Sequence, residues 1–155
     1  MERAPTLDDY THAPLGRFAA GEGWLHFCTG VEPFLAGVVL WGAISVDAIE
    51  AVLRCATAAT QKLPKLHAAI VDGRRARSLH ALCFPLVSEY VIRQRDELAR
   101  SVSQLAGVRT TGMIGAISEG FFRIVPAPYP VNVFEERGEA LRWLGCEAHA
   151  SAIDE

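Results

Sequence analysis

The densest group of side chains able to grip a charged molecule is Asp72-Gly73-Arg74-Arg75-Ala76-Arg77. Each guanidinium presents a planar fork of N–H donors, so a cluster of arginines can clamp a phosphate, a carboxylate or an acidic protein surface. The segment follows directly on the apolar run His67-Ala68-Ala69-Ile70-Val71, which has the composition of a central strand. In open α/β sheets, ligands gather outside the carboxyl ends of strands, where loops and helix N-termini converge. The sequence therefore predicts a rim loop with Asp72, Arg74, Arg75 and Arg77 as candidate residues for a small anionic ligand or a protein partner. The competing expectation is a solvated loop whose arginines pair with carboxylates of the same domain.

Other chemistry-bearing residues are dispersed. His12, His26, His67, His80 and His149 include no pair at metal-ligand spacing. His26 and His67 fall in expected strands and His80 at a helix start, where structural roles are expected. The four cysteines, Cys28, Cys55, Cys83 and Cys146, form no C-x-x-C pair and sit mostly in apolar stretches. That pattern suits buried free thiols in a reducing, cytoplasmic setting. There is no G-x-S-x-G elbow, no phosphate-binding loop and no dinucleotide fingerprint. Gly112, Gly115 and Gly120 share one expected helix, and their spacing suggests close approach to a sheet rather than a phosphate cradle. The expectation is a non-enzymatic chain with no catalytic, metal, cofactor or phosphorylation site.

Composition narrows the partners. Half of the 155 residues are apolar, enough for one well-cored domain, and a net charge of −3 gives no electrostatic footprint for nucleic acid or an anionic membrane. Met1–Tyr10 is polar and acidic, unlike a signal peptide. The apolar run Phe34–Ile44 falls short of the roughly 20 residues needed to span a bilayer.

The elements that must position these residues are legible from periodicity. Residues 1–23 read as a loosely ordered arm, anchored through Gly16-Arg17-Phe18. Trp24–Cys28 and Gly37–Ile44 read as strands paired antiparallel through the short Val31-Glu32-Pro33 link. Ser45 has the character of a helix N-cap, with Val46, Ile49, Val52, Leu53 and Ala56 on one face of a helix that stops before Pro64. His67–Asp72 is the next strand. A second helix runs from about His80 through Tyr90, with its wet side continuing to Arg100. Leu105–Val108 is a short strand, and Thr111 caps a third helix that ends at Pro126. Val131–Phe134 and a helix over Glu139–Leu144 close a domain of residues 24–145, followed by a polar tail, 146–155. Strands alternating with helices predict an α/β fold: a mixed, mainly parallel sheet with an antiparallel edge hairpin and flanking helices.

Several short motifs carry a resemblance: Pro14-x-Gly16-Arg17, Trp24-Leu25, Leu40-Trp41-Gly42, Asp72-x-Arg74-Arg75, Phe84 followed by Tyr90, Gly120-Phe121-Phe122, Pro128-Tyr129-Pro130-Val131-x-Val133-Phe134 and Ala140-Leu141-x-Trp143-Leu144-Gly145. In that order they resemble the domain preceding the helix-turn-helix region of AraC-type bacterial transcriptional regulators of the kind numerous in myxobacteria. More distantly, the element order resembles the anti-sigma-factor antagonist fold, the STAS domain. The resemblance implies a non-enzymatic regulatory module that switches protein partners or self-associates. Those antagonists carry a phosphorylated Ser or Thr after a strand-end aspartate, whereas Asp72 is followed by Gly73. The short stretch after Gly145 leaves no room for a DNA-reading region, so this chain alone is not expected to bind DNA specifically. It is expected to be a stand-alone relative or a piece of a regulator. The alternatives are a small-molecule or lipid-sensing domain, for which a deep apolar pocket ringed by polar groups would speak, and a cryptic enzyme.

Overall fold

The computed structural model describes residues 15–29 and 32–147, with the backbone alone described for residues 15–18. Six strands form one sheet in sequential order: β1 (Leu15–Gly21), β2 (Trp24–Thr29), β3 (Leu35–Ile44), β4 (His67–Leu79), β5 (Val102–Val108) and β6 (Val131–Phe134). The pairs β1–β2 and β2–β3 are antiparallel, and β3 to β6 run parallel. The fold is thus the expected mixed, mainly parallel sheet with an antiparallel edge and flanking helices, of which five are described.

Parallel neighbours need crossover connections, and helices supply them. The link from β3 to β4 is α1 (Val46–Lys62), that from β4 to β5 holds α2 (Cys83–Arg93) and α3 (Arg95–Ser101), and that from β5 to β6 is α4 (Gly112–Ile124). Successive crossovers of one hand, stepping the same way along the sheet, deposit their helices on one face. The closing helix α5 (Arg137–Trp143) packs on the other face.

The strand alternation divides the core accordingly. Leu25, Phe27, Leu35, Val39, Ile70 and Ala106 form a buried cluster with Ala140 and Leu141 of α5. Trp41 is only partly buried and packs against this same cluster. On the opposite face, Val38, Leu40 and Ile44 pack with Ala48 and Ile49 of α1 and Cys83 of α2. The α1 start follows its sequence signal: the Ser45 hydroxyl accepts from the Ala48 N–H at 3.1 Å, a cap worth about 1 kcal/mol.

Five expectations need correction. Leu15–Gly21, inside the stretch read as a loose arm, is a strand whose backbone pairs with β2, Arg17 opposite Cys28 and Phe18 opposite Phe27. Residues 1–14 and 148–155 lie outside the described residues, as do His12 and His149. The helix expected from His80 to Arg100 is two, broken at Gln94, whose N–H still bonds to the Tyr90 carbonyl at 2.9 Å. Of the helix glycines, only Gly115 is buried, and what it approaches is the Thr110 carbonyl of the preceding turn rather than the sheet. Cys28, Cys83 and Cys146 are buried, but Cys55 is only partly covered.

The fifth correction is the one that matters for function. Strand β4 does not end at Asp72. It runs to Leu79, pairing Arg75 with Trp41, Ala76 with Gly42 and Ser78 with Ala43. Two register shifts, one between Val39 and Trp41 and one between Gly42 and Ala43, absorb the extra residues as bulges. The apolar end of β3 needs a hydrogen-bonding partner, and that ladder holds the arginine segment extended despite its loop-like composition.

Candidate functional site

The arginine cluster is therefore a strand, not a rim loop. Asp72 is buried, and its carboxylate accepts from the Arg74 backbone N–H at 3.1 Å, from Nε at 3.0 Å and from Nη2 at 2.8 Å. The guanidinium fork of Arg74 is engaged by Asp72 within its own strand. Arg75 and Arg77 are exposed on the same strand and each makes contacts of its own, so none of the three is an idle cation. The structure brings Asp72 and Arg74 together as a pair but does not converge all four residues on one point.

The concave feature lies on the other side of β4. Between the sheet and the layer of α1, α2 and α4 is a cavity of about 230 Å³. Its floor is Val38, Leu40, Ala69, Val71 and Leu105 of the sheet. Its walls are Ile49, Val52, Leu53 and Ala56 of α1 and Phe84, Val87 and Tyr90 of α2. Ile114, Phe121 and Phe122 of α4 complete it. Gly73 and Ala76 of the arginine segment reach the cavity, but none of its charged residues does.

Local packing explains this shape. Phe121 stacks on Phe84 with ring centroids 5.0 Å apart, bridging α4 and α2. Phe122 lies on β5 where Gly107 has no side chain; a Cβ there would sit 3.1 Å from the ring. Helix α4 buries only Gly115 fully, and it shows Met113, Ile117 and Ile124 to solvent. It is held instead by an ionic tie at the carboxyl end of β5. Glu119 accepts from Arg109 Nη1 at 3.2 Å and from Arg123 Nη2 at 3.0 Å. Arg123 and then Arg109 hold the Glu119 carboxyl below its usual range.

The polar groups of the cavity are His26 of β2 and two sets towards its ends. At the carboxyl end of β5 are Arg109 and Thr110, with Ser118 of α4 facing them. At the opposite end are Thr60, His67, Tyr90 and Tyr129. Burial lowers the His67 pKa, which favours the neutral ring, and Nδ1 lies 3.1 Å from the Pro64 carbonyl. Burial likewise raises the Tyr90 phenol and pushes Tyr129 up to about 12, so both keep their protons at neutral pH. No group of three or more His, Cys, Asp or Glu side chains converges to hold a metal among the described residues, and none of their helices is long and apolar enough to cross a membrane.

Sequence reasoning missed this site. Amphipathic periodicity marks which helix face turns inward, but not whether the facing layers touch. The one local signal was Pro128-Tyr129-Pro130, a tyrosine fixed between two prolines.

No protein-family model matches the chain, and no curated protein does. Among solved structures it is similar to an uncharacterized protein of the DUF3478 family from Shewanella loihica PV-4, described as having a SpoIIAA-like fold. The TM-score is 0.59 at 15% identity, covering 81% of this chain and 97% of that one. At that identity the likeness is one of fold alone. The chain has a SpoIIAA-like, that is STAS-like, α/β fold.

Proposed function

We propose that this chain is a non-enzymatic regulatory module that binds a small, largely apolar molecule between its sheet and its helical layer. The observation that carries the reading is the cavity of about 230 Å³, aliphatic and aromatic through its middle and polar at its ends. Protein interiors are close-packed and hold few voids larger than a water molecule. The space is partly open to solvent, and an apolar ligand that fills it removes its aliphatic and aromatic lining from water.

A SpoIIAA-like fold fits a regulatory or interaction role. An effector-binding domain is also what the resemblance to AraC-type regulators implies; that kinship is part of the proposal and rests on the motifs alone. Output through a protein partner or self-association, with no specific DNA binding by this chain, belongs to the same reading.

The test is extraction of the purified protein with organic solvent, followed by mass spectrometry, alongside thermal melting with a panel of hydrophobic small molecules. A ligand at about 100 times its Kd stabilises by roughly 2.7 kcal/mol, a rise of roughly 5–10 °C for a chain of this size. Ala56→Phe, which places a ring in the cavity, should abolish the response without lowering the melting temperature. If the parent yields no co-extracted molecule and no member of the panel shifts its melting, the reading is wrong.

A further inference from the structure

We infer that the molecule held in the cavity carries an uncharged carbonyl oxygen, and that the Tyr129 hydroxyl donates the hydrogen bond that orients it. This rests on the cavity reading above and adds the ligand's chemical class: a compact apolar body with one oxygen acceptor.

The argument starts from a count of protons. Thr57 Oγ1 donates to the Leu53 carbonyl at 3.0 Å, so in its 3.2 Å contact with the Tyr90 hydroxyl it must be the acceptor. The Tyr90 proton is thereby used. Tyr129 packs beside Tyr90 among Val91, Leu98 and Val102, and it lines the cavity. Its hydroxyl bonds to nothing among the described residues. Burial is the main reason its phenol is pushed up to about 12, so the partly buried Tyr129 keeps its proton at neutral pH and remains a donor. A donor with no partner among the described residues gains a hydrogen bond when an acceptor reaches it from the adjoining apolar cavity.

The hydroxyl is also held in place beforehand. Tyr129 lies between Pro128 and Pro130, which fix their own φ angles and confine the residues before them to extended backbone. The loop is pinned on both sides: Arg95 Nη1 donates to the Pro126 carbonyl at 2.9 Å, and the Leu105 N–H donates to the Pro130 carbonyl at 3.0 Å. A donor fixed before the ligand arrives loses little entropy on binding.

Charge and size complete the description. The cationic side chain lining the cavity is Arg109, at the far end and engaged by Glu119. Around Tyr129 the lining groups are neutral, with His67 uncharged and Tyr90 protonated. That end suits a ketone, aldehyde or ester carbonyl rather than a carboxylate. Since a cavity of about 150 Å³ takes benzene, 230 Å³ suits roughly nine to twelve non-hydrogen atoms.

Acetophenone and isopropylbenzene share shape and atom count and differ by the carbonyl. Isothermal titration calorimetry on the full chain, with Tyr129→Phe and Tyr90→Phe, tests the inference. Tyr129→Phe should weaken binding of the ketone roughly five- to thirtyfold and leave the hydrocarbon's affinity unchanged, which reports an intact cavity; Tyr90→Phe should leave the ketone's affinity close to that of the parent. If Tyr129→Phe binds the ketone as tightly as the parent does, or weakens both probes equally, the inference is overturned and the cavity reading stands. If neither probe binds the parent, both fall together.

Discussion

Replacing Arg74 by Met isolates the role of the buried carboxylate beside it. The substitution keeps most of the aliphatic stem and removes the side-chain bonds to Asp72 at 3.0 and 2.8 Å, leaving the backbone N–H at 3.1 Å. The Asp72 side chain is 4% exposed and that of Arg74 is 29% exposed. Breaking a buried pair from one side costs about 3–5 kcal/mol, because a charge is left behind without its partner. The retained N–H and the partial exposure of Arg74 bring the expected loss to roughly 2–3 kcal/mol, or about 4–12 °C in Tm. Removing both charges in Asp72→Leu/Arg74→Met should restore part of that loss, because no charge is left unpaired and only the Arg74 N–H loses its acceptor. Urea unfolding followed by circular dichroism measures this, with an unchanged m-value confirming that stability alone has moved. An Arg74→Met variant within about 0.5 kcal/mol of the parent would refute the reasoning, as would a double variant no more stable than the single one. The first result would return Arg74 to the list of residues available for an external anion.

Two further outcomes follow from burial. His67 has a lowered pKa in the fold, so below its ordinary value of 6.5 the unfolded chain binds the proton more readily. Its contribution is therefore full above pH 6.5 and lost as pH falls towards the depressed value; His67→Gln should flatten melting temperature between pH 7 and pH 5, and an unchanged slope would count against a buried neutral ring. Among the cysteines, burial raises Cys83 and pushes Cys146 up to about 11, and Cys28 is buried, whereas Cys55 is partly accessible. Iodoacetamide should modify Cys55 first and reach the other three on the timescale of unfolding, and peptide mapping showing Cys83 or Cys146 labelled early would contradict the packing.

The parts of the fold that were legible are those where local pattern and tertiary demand agree. The run Gly37–Ile44 is apolar on both faces because helices cover both, and α1 has its cap, its stripe and its proline stop. Strand β1 was illegible because Leu15–Gly21 holds two glycines and two alanines, poor strand formers; it extends because β2 has an edge to satisfy. The break at Gln94 carries neither Gly nor Pro, so nothing local announces it. The arginine segment was misread as a loop for a related reason. Asp72–Arg77 has turn composition, and only the ladder with Trp41 and Gly42 makes it a strand. The cavity depends on gaps between layers, which the identity of single residues does not encode, although Pro128-Tyr129-Pro130 marked one of its walls.

The length of β4 has one more consequence. Its pairing with β5 ends at Asp72 opposite Val108, so among the described residues the segment from Gly73 to Leu79 is bonded along one side only, to β3. Such a ribbon presents a run of backbone donors and acceptors that a strand from another molecule could adopt, the usual seed of sheet-to-sheet association. The features that disguised it in the sequence work against such pairing: two bulges bend the ribbon away from flatness, and Arg75 and Arg77 are exposed on it. Replacing both arginines with β-branched residues is expected to leave the fold intact and to raise the tendency to precipitate.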